Sequence, residues 1–526
     1  LFWNVGKNGC FCNLNEETKS LKLTKMNSLL FTRKTFPLLS LVIFTQLAKG
    51  KEEEPANKAV SYYKDIRPIF QANCQGCHQP SKAKGKYIMT DFDKLIAGGD
   101  SGDPAIVSND LERSRMVKLI TPEKGDAEMP QKADPLHETE IDLIKKWISE
   151  GAKDDTPEGA KQRYTAEKPP EYVQPPVISA LDFSPDGSLL AVSGFHEVLI
   201  HKSDGSAMES RLVGLSERIE SISFSPDGKK IAVTGGLPAR MGEVQVWDVA
   251  TRKLSLSVPV TYDTVYGGSW SPDGKLIAFG CSDTTVRAID AKTGKQVLFM
   301  GSHNNWVIDT VFSMKSDYLV SVGRDMSAKL TKVDEQRFID NITSITPKAL
   351  KGGILSVTRH PSRDEILFGG ADGVPKIYRT QRVKKREIGD DSNQLWKLPP
   401  LKGRIFAVDW SKDGKLIAAG SSLDGNGYLH IYSIDPDYKV PGDIDGIIKK
   451  PVQSRNGGEL NKLNDYFKNG IKTIAAIDSI PSGIYSVKFN PAGTQIAAAG
   501  SDGHVRIFDT TNGQKVTEFV PVPINQ

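Results

Sequence analysis

A short motif, Phe-Ser-Pro-Asp-Gly or a variant of it, occurs seven times along the chain, at Phe183, Phe224, Trp270, Phe312, Arg359, Trp410 and Phe489. The intervals are 41, 46, 42, 47, 51 and 79 residues. Nothing else in the 526 residues restricts the fold as strongly. A unit of about 40 to 50 residues made of short strands cannot bury its apolar face alone, and ringing such units around an axis gives a β-propeller. Each unit has one grammar. An alternating strand such as 178–183 runs into a Pro-Asp-Gly turn, a small-residue strand such as 190–193 returns, and a third such as 198–201 follows. AVSG at 191–194 and AAAG at 497–500 suit crowded inner strands. Seven units predict seven blades over residues 177–522, a ring without free edges.

Trp247-Asp248 spells a dipeptide that, with this grammar, resembles the WD-repeat family. Blades 4 and 5 depart most, carrying SMKS at 313–316 and HPSR at 360–363 in place of the turn. The last unit has its own candidate outer strand at 515–520, which leaves open whether the amino-terminal linker also closes the ring. The 79-residue interval holds an insertion near 437–475, read either as a loop reaching a partner or as an inert addition; Asp465–Phe467 and Ile471 suggest some packing there. The linker at 156–176, rich in Pro, Glu and Lys, reads as a semi-rigid spacer.

Ahead of the repeats stands Cys74-Gln75-Gly76-Cys77-His78, a C-x-x-C-H sequence. It is the attachment signature of c-type haem: two thiols add across the vinyl groups, and the adjacent imidazole is held under the iron. A thioredoxin-like motif would follow a strand, whereas Ile66, Ile69 and Phe70 precede these cysteines at helical spacing. A zinc ribbon would need a second C-x-x-C, and the sequence has none. Met89, Met116, Met129 and His137 are the candidates for a sixth ligand, and Met129 is favoured because Pro130 stiffens the loop that would present its sulfur. Asp65 is expected to cap a helix with Pro68 in its first turn, and Thr139 with Asp142 to cap a second. Ile141, Ile144, Trp147 and Ile148 form an apolar stripe ended by Gly151, with Trp147 expected to pack on Phe70. Lys82, Lys84 and Lys86 read as a solvated loop, with a cationic docking rim as the sharper alternative.

Residues 59–155 resemble the planctomycete-type cytochrome c domain through DIRPIFQANCQGCH at 65–78, GGDSGDPAIVSNDLERSRMVKLI at 98–120, Met129-Pro130, and IDLIKKWISEGA at 141–152. The resemblance implies one covalently attached haem c, with Cys74 and Cys77 as attachments and His78 and Met129 as axial ligands. The family's usual proline doublet after the ligand Met is here Pro130-Gln131. The expected fold is therefore multidomain: a small all-α, class I-like cytochrome c domain at 51–155, then an all-β seven-bladed propeller.

From Met26, a charged start at Arg33 and Lys34, an apolar run over 36–48 and an Ala48-x-Gly50 pattern read as a secretory signal over 26–50, with a retained membrane anchor as the alternative. Residues 1–25, with Cys10 and Cys12, read as translated sequence upstream of the true start. The chain's 68 basic and 64 acidic residues, less seven and two in the first fifty, leave 61 and 62. No charge argument for nucleic acid survives.

A second cofactor in the ring would need converging ligands, but His196, His201, His303, His360, His430 and His504 fall at different points of the blade grammar. Asp283, Asp325, Asp372 and Asp502 sit at equivalent places and resemble the WD family's structural Asp, Cys281 reads as a buried inert thiol, and the run Arg382, Lys384, Lys385, Arg386 as solvated. The sequence thus points to a monohaem cytochrome, periplasmic or otherwise exported, that passes single electrons to a redox partner protein, with the propeller as a protein-docking platform rather than an enzyme. The alternatives are an oxidoreductase subunit with a substrate or cofactor site in the propeller, and a haem-switched scaffold.

Overall fold

The computed structural model describes residues 59–74, 78, 84–89, 91–123, 125–131, 135–157, 164, 166–343, 352–383, 385, 392–435 and 440–525. The expected leader and signal segment, with Cys10 and Cys12, lie outside the described residues, as do Cys77, Lys82, Lys384 and Arg386.

Seven four-stranded sheets, each of consecutive strands, make a seven-bladed β-propeller. Blade 1 comprises β1 (Leu181–Phe183), β2 (Leu189–Ser193), β3 (Glu197–Lys202) and β4 (Met208–Val213); the series continues to β25 (Ile484–Phe489), β26 (Gln495–Gly500), β27 (Val505–Asp509) and β28 (Lys515–Phe519) in blade 7. Each of the seven motif residues ends the first strand of its blade, including Arg359 in β17 (Ile354–Arg359). After β1, Gly187 at φ 77° donates its N–H to the Ser184 carbonyl at 2.8 Å, while the Asp186 carboxylate accepts from the Ser184 hydroxyl. A left-handed residue at this place favours glycine. The divergent blades reach the same shape by other means. Ser316 takes φ 63° in blade 4, and in blade 5 the His360 Nδ1 accepts from the Ser362 and Arg363 N–H groups at 3.1 and 2.9 Å.

The second strands are crowded as their small residues predict: a Cβ on Gly500 would sit 1.7 Å from the Gly483 carbonyl oxygen. Apolar side chains pack between blades as well as within them. Ala191, Val198 and Ile200 of blade 1 pack on Ile219, Ile222 and Phe224 of blade 2. Leu181, Phe183 and Leu190 of blade 1 pack in turn on Ala497, Ala499 and Val505 of blade 7. That last cluster closes the ring without an exchanged strand. Outside it, Tyr172 pairs in parallel with Ile524, accepts from the Asn525 N–H at 2.8 Å, and donates its hydroxyl to Glu197 at 2.7 Å, so the end of the linker is tied to the propeller.

The insertion proves to be two helices, Gly442–Lys449 and Gly457–Tyr466, between the third and fourth strands of blade 6. Ile444, Ile447, Leu463 and Phe467 give it a small core of its own, and the Phe467 carbonyl accepts from the Lys397 N–H of blade 5 at 2.9 Å.

Residues 59–155 form a helical region. A π-helical turn (Tyr62–Ile66) leads into α1 (Arg67–Asn73), followed by α2 (Phe92–Ala97), α3 (Arg115–Ile120) and α4 (Glu138–Ser149). Two caps differ from expectation. Ser61 rather than Asp65 is the first cap: its hydroxyl accepts from the Lys64 N–H, and Asp65 accepts from the Ser61 N–H at 2.9 Å. Pro68 does lie in the first turn of α1. The second helix starts one residue before Thr139, capped at His137, whose N–H bonds the Glu140 carboxylate at 3.0 Å. Thr139 and Asp142 stand inside it, because the Glu three positions after the cap can reach back and Asp142 cannot. Gly151 stops α4 at φ 102°, with the Ala152 N–H bonding the Trp147 carbonyl and the Gly151 N–H that of Ile148, a Schellman ending. Ile141, Ile144, Trp147 and Ile148 are all buried, and Trp147 meets Phe70 edge-on at 6.4 Å between ring centroids.

Candidate functional site

Helix α1 carries Phe70 and Asn73 to the edge of a cavity of about 370 Å³ and delivers Cys74 as its C-cap, with the Cys74 N–H bonded to the Phe70 carbonyl at 2.9 Å. His78 follows on the same cavity, its N–H held by the Cys74 carbonyl at 3.1 Å. The chain then turns through Lys84–Lys86, where Gly85 takes φ 62°, and the Lys84 carbonyl meets the His78 Nδ1 at 3.1 Å. A ring nitrogen bound to a carbonyl must carry the proton, so the lone pair is left on Nε2. Burial pushes the His78 imidazole below its ordinary pKa, against the opposing effect of its bond to Lys84. The neutral form is the one that ligates metals.

Met129 also reaches the cavity, on a loop pinned by its N–H to the Leu119 carbonyl at 2.9 Å. Met89 and Met116 also line the cavity; both are buried, whereas Met129 is half-buried. His137 is exposed at the start of α4 and is not among the lining residues. Cys74, His78 and Met129 are thus brought to one cavity, and Cys77 lies outside the described residues.

The donor set and the walls fit a haem c. A thiol, an imidazole with its free nitrogen unhindered by the Lys84 bond, and a thioether face an interior lined by Phe70, Leu119, Ile120 and Leu136. Two contributors were not read from the sequence. Tyr87 stands 5.2 Å from the His78 ring, its hydroxyl bonded to the Leu95 carbonyl at 2.8 Å, and burial pushes its phenol pKa up. Arg115 pairs with Asp103 at 3.1 Å on the cavity wall. Neither residue stands in a spacing that announces a role; only the close approach of the 98–103 loop brings the ion pair there.

In the propeller, the repeat-equivalent aspartates are structural. Asp283, Asp325, Asp372 and Asp502 each pair with a cation four residues on: Arg287, Lys329, Lys376 and Arg506. Asp325 also accepts from the His303 Nδ1 at 3.0 Å, while His303 Nε2 meets the Ser321 hydroxyl at 2.8 Å. Burial pushes Asp325 up, but His303, the Asn304 N–H and Ser327 outweigh it and hold the carboxyl at about 2. Cys281 is fully buried, and its thiol is pushed up to about 12 by burial. The basic run departs from expectation, because Arg382 is bound to Asp340 of blade 4 at 2.6 Å rather than solvated. His201 and His430 lie on third strands, and among the described residues no group of three or more His, Cys, Asp or Glu is arranged to hold a metal ion.

Along the axis, three carboxyls tie neighbouring blades. Asp182 accepts from the Phe224 N–H at 2.8 Å, Asp309 from Val357 at 2.9 Å and Asp409 from Phe489 at 2.9 Å. Burial pushes Asp182 and Asp309 up to about 6 and raises Asp409 as well, opposed by Lys488, whose own pKa is raised chiefly by Asp409.

Both resemblances read from the motifs are matched by family models. Residues 74–132 match planctomycete cytochrome C; residues 239–315 match the WD40 domain of anaphase-promoting complex subunit 4; and residues 394–433 and 474–509 match the WD domain, G-beta repeat. Among curated proteins, the chain is similar to eukaryotic translation initiation factor 3 subunit I of Nematostella vectensis, at 23% identity over 37% of this chain and 60% of that protein. It is also similar to WD repeat and SOCS box-containing protein 1 of Danio rerio, at 36% identity over 19% of this chain and 24% of that protein. The chain therefore spans less than two thirds of these curated relatives.

Proposed function

We propose that this chain is a c-type cytochrome, periplasmic or otherwise exported, with one covalent haem, which passes single electrons to and from a redox partner protein while the propeller serves as a docking platform. The helical region is then a class I-like cytochrome c domain. One observation carries the reading: Cys74, His78 and Met129, chosen as haem residues on sequence grounds, line a single apolar cavity. Bound there, a haem would supply reversible one-electron chemistry, and Met-His ligation favours the raised potential of a carrier. The chain's own contributions are separate from that chemistry. The Lys84 carbonyl fixes the His78 tautomer, the Leu119 carbonyl anchors the Met129 loop, and Phe70, Leu119, Ile120 and Leu136 supply apolar wall.

The propeller supports the platform role through its rigid ring, whose turn aspartates are engaged in ion pairs within their own blades. The test is expression of the full chain in a host competent in cytochrome maturation, followed by intact mass, haem staining and a redox titration. Covalent haem and a haem that cycles are expected, with Cys74→Ser losing a thioether. Carbon monoxide should bind Met129→Ala and be resisted by the parent. A colourless product with the mass of the bare chain would overturn the proposal.

A further inference from the structure

Six of the seven first strands end on an aromatic residue, and β17 ends on Arg359. This exception faces a cavity of about 400 Å³ at the end of the channel where these strands terminate. Across the cavity stand Phe183, Phe224 and Trp270 with Pro185, Pro226 and Pro272, from blades 1 to 3. Arg359 is half-buried, and its guanidinium donates to the His360 carbonyl at 3.2 Å. Among the described residues no carboxylate forms an ion pair with it; burial alone depresses its pKa.

Arg359 therefore offers a partly desolvated cation that no carboxylate neutralises among the described residues, and such a group gains from an anionic partner. A further donor stands on the rim, where the Lys412 ammonium reaches the Pro185 carbonyl at 3.5 Å. Behind Arg359, the Trp410 ring meets that of His360 edge-on at 4.7 Å, and its indole N–H is buried with no partner among the described residues, whereas that of Trp270 donates to the Ser223 carbonyl at 2.9 Å. The carboxyl that lines the cavity, Asp182, is engaged by the Phe224 N–H and by the charge of Lys488.

We infer that this end of the channel binds an apolar monocarboxylate through Arg359, either a small organic acid or the carboxyl terminus of a peptide ending in an apolar residue. The guanidinium fork matches a carboxylate in its plane, while the proline and aromatic side chains of blades 1 to 3 suit an apolar body. The inference is independent of the haem reading.

Calorimetric titration of the full chain with benzoate, with an acetylated tetrapeptide ending in Phe, with the same peptide amidated, and with inorganic phosphate tests it. Saturable binding of benzoate, of the free-acid peptide or of both is expected; which of them binds identifies the source, and the amide should not bind. Arg359→Phe restores the aromatic of the other six blades and should weaken binding at least about tenfold without lowering the melting temperature. Arg359→Lys keeps the charge without the fork and should fall between. The inference is overturned if neither carboxylate binds, if phosphate binds more tightly than both, or if Arg359→Phe binds as the parent does.

Discussion

The helical region gathers its buried side chains into one cluster around Trp147, Phe70 and Tyr62, whereas the propeller divides its own into seven clusters that bridge neighbouring blades. In the first, the π-helical turn, α1, α2 and α4 meet through the same few rings: Tyr62 stacks on Trp147 at 5.4 Å, and Phe70 and Phe92 meet Trp147 edge-on at 6.4 and 6.3 Å. In the second, each blade needs only its two neighbours, and the cluster between blades 7 and 1 closes the circle. A single shared core that also surrounds a cavity has little redundancy. A ring of local interfaces spreads any damage.

The comparison breaks most readily at Trp147. Trp147→Ala removes the centre of the helical core and should cost about 3–5 kcal/mol there, melting that region first while the propeller transition stays in place. Differential scanning calorimetry reads both transitions, and a propeller shift as large as that of the helical region would contradict the division drawn here.

A smaller effect is expected at Asp325, within one blade. Its carboxyl is held at about 2, below its ordinary 3.8, so the unfolded state binds the proton more readily. The stability it contributes is full above the unfolded value and is lost as pH falls through the folded one. Asp325→Asn should cost about 1–3 kcal/mol at pH 7, and the difference from the parent should close as pH drops from about 4 to 2. Denaturant melts across that range check the sign; a gap that widens in acid would refute it.

The smallest change should come from the insertion. The Asp435 N–H bonds the Gly470 carbonyl at 2.9 Å, so the ends of the helical pair are already joined at its base. Replacing residues 436–468 with a short turn should leave propeller stability within about 1 kcal/mol, since only local bonds such as that from Lys397 are lost. A large fall in melting temperature would mean that the insertion braces blades 5 and 6.

The propeller was legible in the sequence because its signal is repeated. Seven motif residues, spaced 41 to 51 residues apart except across the insertion, all fall at the ends of first strands, and even where the turn text failed, in blades 4 and 5, the spacing placed the strand. The helical region offers each signal once. The stripe of α4 and the stop at Gly151 were readable, whereas the caps were not. Ser61 and His137 each depend on which of several nearby carboxylates reaches back, and spacing alone leaves that choice open. Met89 and Met116 show the same limit at the cavity, since three methionines line it and the sequence singles out Met129 only through its proline and the family resemblance.

The sequence by itself determined the seven units, the order of strands within them and the helix leading into Cys74, because these follow from periodicity and turn chemistry along a continuous stretch of chain. Only the tertiary structure decided how the ring closes, that the insertion is helical, that the Lys84 carbonyl orients His78, and that Arg359 faces the channel with no carboxylate partner among the described residues. Such contacts join residues whose separation along the chain carries no pattern. Their energies depend on burial and on what else arrives at the same place.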